Sequence, residues 1–251
     1  MIRGLIFDIN GTLTDILTDE GRQELYRVVS NFLIYQGIFI SPDELRDIYF
    51  ALNEKQRADS QEKHPEFDAV KLFDEIIKKH ATDYTHKLPK KKLKVLPEMT
   101  AELFRAASLL QLKLYPDVKS VLKKLQKKYR LAAVSDGQDL WAKAELNAVG
   151  LLDFFDPLLV SSEYGYRKPD ERLFKKALKK MNMKPEEVIF IGNDLYRDVH
   201  GANKLGIKSV FFKSNQGDHT YAKAVPDQTI STFAELENAV KVLAHEAKKK
   251  K

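Results

Sequence analysis

An α/β fold, a parallel sheet with helices on both faces plus an inserted all-helical domain, is what this sequence predicts. Three observations carry that expectation. Residues 2–7 are an apolar run that stops at Asp8 and meets Asn10-Gly11-Thr12 at once, the pattern of a buried strand breaking into a turn. From about residue 115 short apolar runs alternate with helical periodicity, which implies right-handed crossovers in a parallel sheet. Between these regions, from about 19 to 112, the pattern is helical almost throughout.

In the helical stretch, Leu25, Val28, Val29, Phe32 and Leu33 recur at helical spacing, and Val70, Phe73, Ile76 and Ile77 mark a second apolar face. Ser41-Pro42-Asp43-Glu44 reads as an N-cap with proline at the first helical position. Lys87 to Lys94, with Pro89, reads as a basic loop, and Glu98 to Leu110 as helix. Further along, strands are expected at 131–134, 158–160, 188–191 and 209–212, with a weak one at 228–230. Helices are expected near 118–128, 139–149, 170–181, 198–205 and 232–245. The first strand has no crossover of its own except through the helical segment. The domains are therefore placed at 1–17 with 113–251, and at 18–112 as the insertion.

Composition narrows the function. Of 251 residues 43% are hydrophobic, enough for a packed core. The net charge of +6 is too mild an excess to argue for nucleic acid. The lysine clusters at 90–92, 123–124, 127–128, 175–176, 179–180 and 248–251 are expected to be solvated, the last frayed. No cysteine is present, which excludes disulfides, thiolate zinc sites and a thiol nucleophile. Apolar runs fall far short of the ~20 residues that span a bilayer, and the one at the N-terminus is too short for a signal peptide. A cytoplasmic protein with no membrane or nucleic-acid partner is the expectation. Oligomeric state has no signature in the sequence.

In an open α/β sheet, ligands bind beyond the carboxyl ends of the strands. After the first strand stand Asp8, Asn10, Gly11 and Thr12; after 131–134 stand Ser135, Asp136 and Gly137. Beyond 158–160 lies Arg167-Lys168-Pro169-Asp170, and after 188–191 come Gly192, Asn193, Asp194 and Asp198. Each group alone is ordinary turn chemistry. Four together along one sheet edge are a site.

These four motifs, in this order, resemble those of the haloacid dehalogenase-like (HAD) hydrolase superfamily. Asp8-Ile9-Asn10-Gly11-Thr12-Leu13-Thr14-Asp15 is similar to DxDGTxxD, with Asn10 in place of the second aspartate. Ser135 stands for the second motif, Lys168 in Lys168-Pro169-Asp170 for the third, and Gly192 to Ala202 for the fourth. The resemblance implies a Rossmann-like core, a helical cap over residues 18–112, and a magnesium-dependent phosphatase acting on a small phosphorylated metabolite through an aspartyl-phosphate.

The residue types suit those roles. Asp8 is placed as a carboxylate nucleophile, which splits one hard step into two. Lys168 offers a point charge to Asp8 and to the ligand. Asp8, Asp194 and Asp198 make an oxygen-rich site suited to Mg²⁺; Asp194 is expected in direct contact, Asp198 in direct contact or behind it. The resemblance adds the Asn10 backbone carbonyl as a ligand. Thr12, Ser135 and the amides of Asp136 and Gly137 are placed to hold phosphate oxygens before the helix near 139. In the insertion, Gln56, Arg57 and Ser60 share near-helical spacing and are candidates to meet a substrate, or else form a solvated face. Asp15 and Asp170 read as caps, and Trp141 as core or partner contact.

Asn10 is the departure that matters. The family's phosphatases carry an aspartate there as proton donor and base, a role worth typically ~10²–10⁴-fold. Three readings stay open: a phosphatase weakened on alkyl esters, a catalytically weak or inactive binder of a phosphorylated ligand or protein, and a dehalogenase-type carbon–halide hydrolase. The third works without metal in the resembling enzymes, and the Asp194/Asp198 pair speaks against it.

Overall fold

The computed structural model describes residues 1–249; Lys250 and Lys251 of the last lysine cluster lie outside the described residues. The apolar run at the start forms β1 (Gly4–Phe7), entirely buried, and the chain re-emerges from the Asp8 turn as β2 (Thr14–Thr18). Five helices follow: α1 (Gln23–Tyr35), α2 (Pro42–Ala58), α3 (Ala69–His80), the single turn α4 (Asp83–His86) and α5 (Lys90–Ser108). Strand β3 (Leu109–Leu114) pairs with β2 in a two-stranded ribbon. Then come α6 (Val118–Leu125), β4 (Arg130–Ser135), α7 (Asp139–Ala148), β5 (Leu158–Val160), α8 (Glu171–Met181) and β6 (Val188–Gly192). A π-helical turn at Leu195–His200 runs into the short α9 (Gly201–Asn203), followed by β7 (Lys208–Phe212), β8 (Gln228–Ile230) and α10 (Leu236–Lys249).

Six strands form one sheet in the order β5-β4-β1-β6-β7-β8, every neighbouring pair parallel. β1 lies inside it, Phe7 opposite Ala133 on one side and Ile191 on the other. Side chains alternate across the pleat. Leu5, Phe7, Ala133, Ile189 and Ile191 pack with Val121 and Leu122 of α6 and Leu236 and Leu243 of α10 on one face. Ile6, Ala132, Val134 and Phe190 pack with Leu173, Phe174 and Ala177 of α8 on the other. Both faces are dry, so the strands are continuous apolar runs. With all strands parallel, Phe7, Ser135, Val160 and Gly192 end on one edge.

The chain divides into two units: Met1–Ile16 together with the chain from Leu112 onward, and Leu17–Gln111. The second is all-helical apart from strand ends. Its core is aromatic: the Tyr49 and Phe104 rings stack 4.3 Å apart, with Phe73 at 5.4 Å and Tyr26 at 6.0 Å from Phe104. Phe104→Ala is expected to cost about 3–5 kcal/mol, the usual price of deleting a buried aromatic. Urea denaturation checks this; a loss below about 1 kcal/mol would show that the cluster does not hold the unit together.

Several elements differ from expectation. The segment expected as a basic loop at 87–94 is mostly the first turns of α5, with Pro89 at the N-cap position. Its Lys90, Lys91 and Lys92 oppose the positive end of the helix dipole and so imitate a loop. The helix holds because Leu96, Ala101 and Phe104 are buried further along. Neither β2 nor β3 was expected. They are short, pair only with each other and join segments some ninety residues apart, so local periodicity carries little trace of them. Asp170 caps α8 as expected, accepting from the Arg172 amide, whereas Asp15 lies in β2 and pairs with Lys113. Trp141 is buried on α7. Among the described residues no helix is long and apolar enough to cross a membrane.

Candidate active site

Asp8 is the first residue past β1. Its amide donates to the Ile191 carbonyl at 2.9 Å, so the sheet's own ladder carries it to the edge. Lys168 reaches the same point from the loop before α8, where its backbone amide donates to Asp136 Oδ1 at 2.9 Å. The Lys168 Nζ lies 2.6 Å from Asp8 Oδ1 and 2.7 Å from Asp198 Oδ1, bridging the two carboxylates. All three side chains are buried. Burial alone would push the Lys168 ammonium down, but Asp198, Asp8 and Asp136 outweigh it and hold it above its ordinary value. Burial, reinforced by the Asp8 charge and opposed by Lys168, pushes the Asp198 carboxyl up to about 7.

The fourth motif is shaped by its π-helical turn, a feature common at functional sites. The Asp198 side chain folds back beneath β6, where Oδ2 accepts from the amides of Asn193 and Asp194 at 3.1 Å each. A Cβ on Gly192 would stand 2.4 Å from that oxygen, so only glycine allows the approach. Asp194 turns elsewhere. Its Oδ1 accepts from the Arg197 amide at 2.7 Å, and its Oδ2 from the Arg197 Nε at 2.8 Å and the Asp218 amide at 3.0 Å. Burial raises the Asp194 carboxyl, yet these Arg197 and Asp218 interactions prevail and hold it below its usual range.

Thr12 completes the inner group. Its hydroxyl lies 3.0 Å from Asp8 Oδ2 and 2.9 Å from Asn193 Oδ1, one proton shared between two acceptors. Asn10 Oδ1 accepts from the Thr14 hydroxyl at 3.0 Å. Ser135 ends β4, buried, its hydroxyl making only a 3.4 Å contact to the Asp136 carbonyl. Arg167 and Arg197 each place a guanidinium nitrogen 3.8 Å from Asp136 Oδ2.

Of the residues expected in the site, Asp8, Thr12, Lys168 and Asp198 are brought into direct contact, and Asp136 joins through the Lys168 backbone. Gly137 does not offer an open donor: its amide already donates to the Ser161 hydroxyl at 2.8 Å. Asp194 does not converge on Asp8, for the reason just given. Asn193 and Arg197, which carried no expected role, are woven into the site. A helical i,i+3 acid–arginine pair, Asp194 with Arg197, is the sequence pattern that marks the second of them.

The expected substrate contacts of the insertion are tied to their own unit. Gln56 exchanges two hydrogen bonds with the Asp68 backbone, at 2.8 and 3.3 Å. Arg57 bonds Asn53 and Glu66 and lies over the Phe67 ring. Ser60 lies past the end of α2 and accepts from the Glu62 amide. These contacts pin the 59–68 loop.

A magnesium ion needs oxygens that converge in near-octahedral geometry. Among the described residues no group of three or more His, Asp or Glu could hold a metal ion. The expected set of Asp8, the Asn10 carbonyl, Asp194 and Asp198 does not fit that ion as arranged, because Asp194 is committed to Arg197 and Lys168 already bridges the other two carboxylates.

Removing Lys168 should therefore strip a buried counter-charge. Lys168→Met is expected to lose about 3–5 kcal/mol of stability, as unpaired buried charges do. Adding Asp198→Asn should restore part of it. Strict additivity in this double-mutant cycle would show that the pair does not interact.

A carboxylate at a strand end, a buried lysine upon it and a hydroxyl-bearing turn beside it form one polar cluster at the carboxyl edge of a parallel sheet, where α/β enzymes hold their ligands. The family profile of haloacid dehalogenase-like hydrolases matches residues 2–206, and the chain belongs to that family. Glyceraldehyde 3-phosphate phosphatase of Methanopyrus kandleri is 28% identical over 97% of this chain and 99% of its own length. The same-named protein of Pyrococcus furiosus is 38% identical over a shorter segment, 39% of this chain and 41% of that protein. Among solved structures, a 2-haloacid dehalogenase from Pseudomonas syringae superposes with a TM-score of 0.69 over 96% of this chain and 99% of its own, at 19% identity, a likeness of fold.

Proposed function

We propose that this hydrolase is a phosphatase of a small phosphorylated metabolite and works through an aspartyl-phosphate on Asp8. The observation that carries the reading is the 2.6 Å contact between the Lys168 ammonium and Asp8 at the sheet edge, with the Thr12 hydroxyl on the other carboxylate oxygen. The phosphatase names of the full-length relatives support it. In this reading the free lone pair of an Asp8 oxygen attacks phosphorus and the bond to the leaving oxygen breaks. Lys168 offsets the repulsion between carboxylate and phosphate, and Thr12 and Ser135 hold phosphate oxygens. Water then attacks phosphorus, releasing phosphate and regenerating the carboxylate. Asn10 has no proton to give, so leaving groups that need little protonation, such as aryl and acyl phosphates, are favoured. The helical unit is assigned the selection of substrate.

A screen of phosphorylated metabolites together with aryl and acyl phosphates tests this, with a chloride-release assay on haloacids run beside it. Phosphate release supports the reading. Chloride release with no phosphate release replaces it with carbon–halide hydrolysis, and silence in both assays leaves a binding protein.

A further inference from the structure

We propose that this active site holds its anionic ligand without a divalent cation, because Asn193 and Lys168 occupy the places where a cation's ligands and the cation itself would act. The proposal rests on the reading of Asp8, Ser135 and Lys168 as an anion site.

The surroundings of residue 193 are built for an amide. Its Nδ2 donates to the Gln216 carbonyl at 2.9 Å while its Oδ1 accepts from Thr12, so the two ends of the amide are distinguished by their partners. A carboxylate there would set an oxygen against the Gln216 carbonyl. Nor can the side chain swing out. A Cβ on Gly11 would lie 2.3 Å from Nδ2, and one on Gly217 would lie 2.4 Å from the Asn193 carbonyl oxygen, so two glycine backbones close over it. Both glycines have positive φ, +85° and +91°, which other residues resist. The strand end thus presents a neutral oxygen to Thr12, whose hydroxyl also meets Asp8, at a point the turn chemistry has fixed.

The remaining carboxylates have little to offer a cation. Both oxygens of Asp194 are taken by Arg197 and Asp218. Asp198 gives one oxygen to Lys168 and the other to two amides. Asp8 gives one oxygen to Lys168 and shares the other with Thr12. A magnesium ion placed between Asp8 and Asp198 would have to displace the Lys168 ammonium that bridges them, which carries its own charge and cannot leave a buried site without cost. The lysine does the electrostatic work at Asp8, and Arg197 removes Asp194 from the competition.

Two titrations of the wild-type protein test this. Manganese(II), followed by its electron paramagnetic resonance signal, probes the cation site directly. Inorganic phosphate, followed by isothermal titration calorimetry in EDTA and again in magnesium chloride, probes the anion site. The expected result is no saturable manganese binding, with phosphate affinity unchanged between the two buffers. One saturable manganese site per chain that Asp198→Asn abolishes overturns the proposal. So does phosphate binding that magnesium strengthens by about 5–150-fold, the scale of coupling between linked ligands. If phosphate binds in neither buffer, the anion-site reading falls, and absence of manganese binding still supports a site without a cation.

Discussion

Asn10→Asp is expected to raise turnover of alkyl phosphate esters by up to ~10²–10⁴-fold, the range of a positioned acid–base group. Amide and carboxylate are nearly isosteric, and the Thr14 hydroxyl that donates to Asn10 Oδ1 would donate to a carboxylate as readily. The new group brings a transferable proton to the leaving oxygen. Aryl phosphates, whose leaving groups need less help, should gain less. Asn-Gly sequences deamidate readily, which would place an aspartate at position 10 in part of any preparation. The fold restrains this: the Gly11 amide that would attack donates to the Thr14 carbonyl at 2.8 Å, and Thr14 also holds the Asn10 side chain. Peptide mapping should therefore find Asn10 intact, and steady-state kinetics of wild type and variant then measure the gain. No gain on any ester would end the weakened-phosphatase reading in favour of ligand binding.

Asp8→Asn should abolish hydrolysis of every phosphate ester, a loss on the order of 10⁴–10⁶-fold, the scale seen when a nucleophile is removed. The amide keeps the volume; its one oxygen can accept from the Lys168 ammonium, and its NH2 then faces the Thr12 hydroxyl oxygen, whose proton stays with Asn193 Oδ1. Stability should change little, since the same substitution removes one of two carboxylates crowded onto one lysine. Rapid-quench labelling with a radioactive aryl phosphate should show an acid-stable phosphoprotein in wild type and none in the variant. Wild-type turnover in Asp8→Asn would move the nucleophile elsewhere.

Much of this was legible in the sequence because parallel strands buried on both faces cannot hide. The runs at 158–160 and 228–230 match strands β5 and β8 residue for residue, and 131–134 and 188–191 each fall within one residue of a strand's ends. Convergence of Asp8, Thr12, Lys168 and Asp198 followed from one fact, that parallel strands end on the same edge. What the sequence hid is the direction of each side chain beyond the strand. Asp194 and Asn193 are neighbours, and only the π-helical turn decides that Asp194 faces Arg197 while Asn193 faces Thr12. The loop that Gln56, Arg57 and Ser60 hold was hidden for the same reason: helical spacing counts residues, whereas that loop lies outside any period.

The order of the strands also bears on how the chain is made. β1 leaves the ribosome first, yet both of its neighbours, β4 and β6, follow the whole helical insertion. At a synthesis rate of ~5–20 residues per second, β1 waits about 6–25 s before Arg130 and the rest of β4 emerge. Through that interval Leu5, Ile6 and Phe7 have no sheet to enter. The helical unit is continuous in sequence and complete by Gln111, so it is the part that can fold while the nascent chain is still growing. Its early folding would hold the residues on either side of the insertion near one another and shorten the search when β4 arrives. Chaperones that shield short apolar segments should therefore meet this chain at β1 during translation.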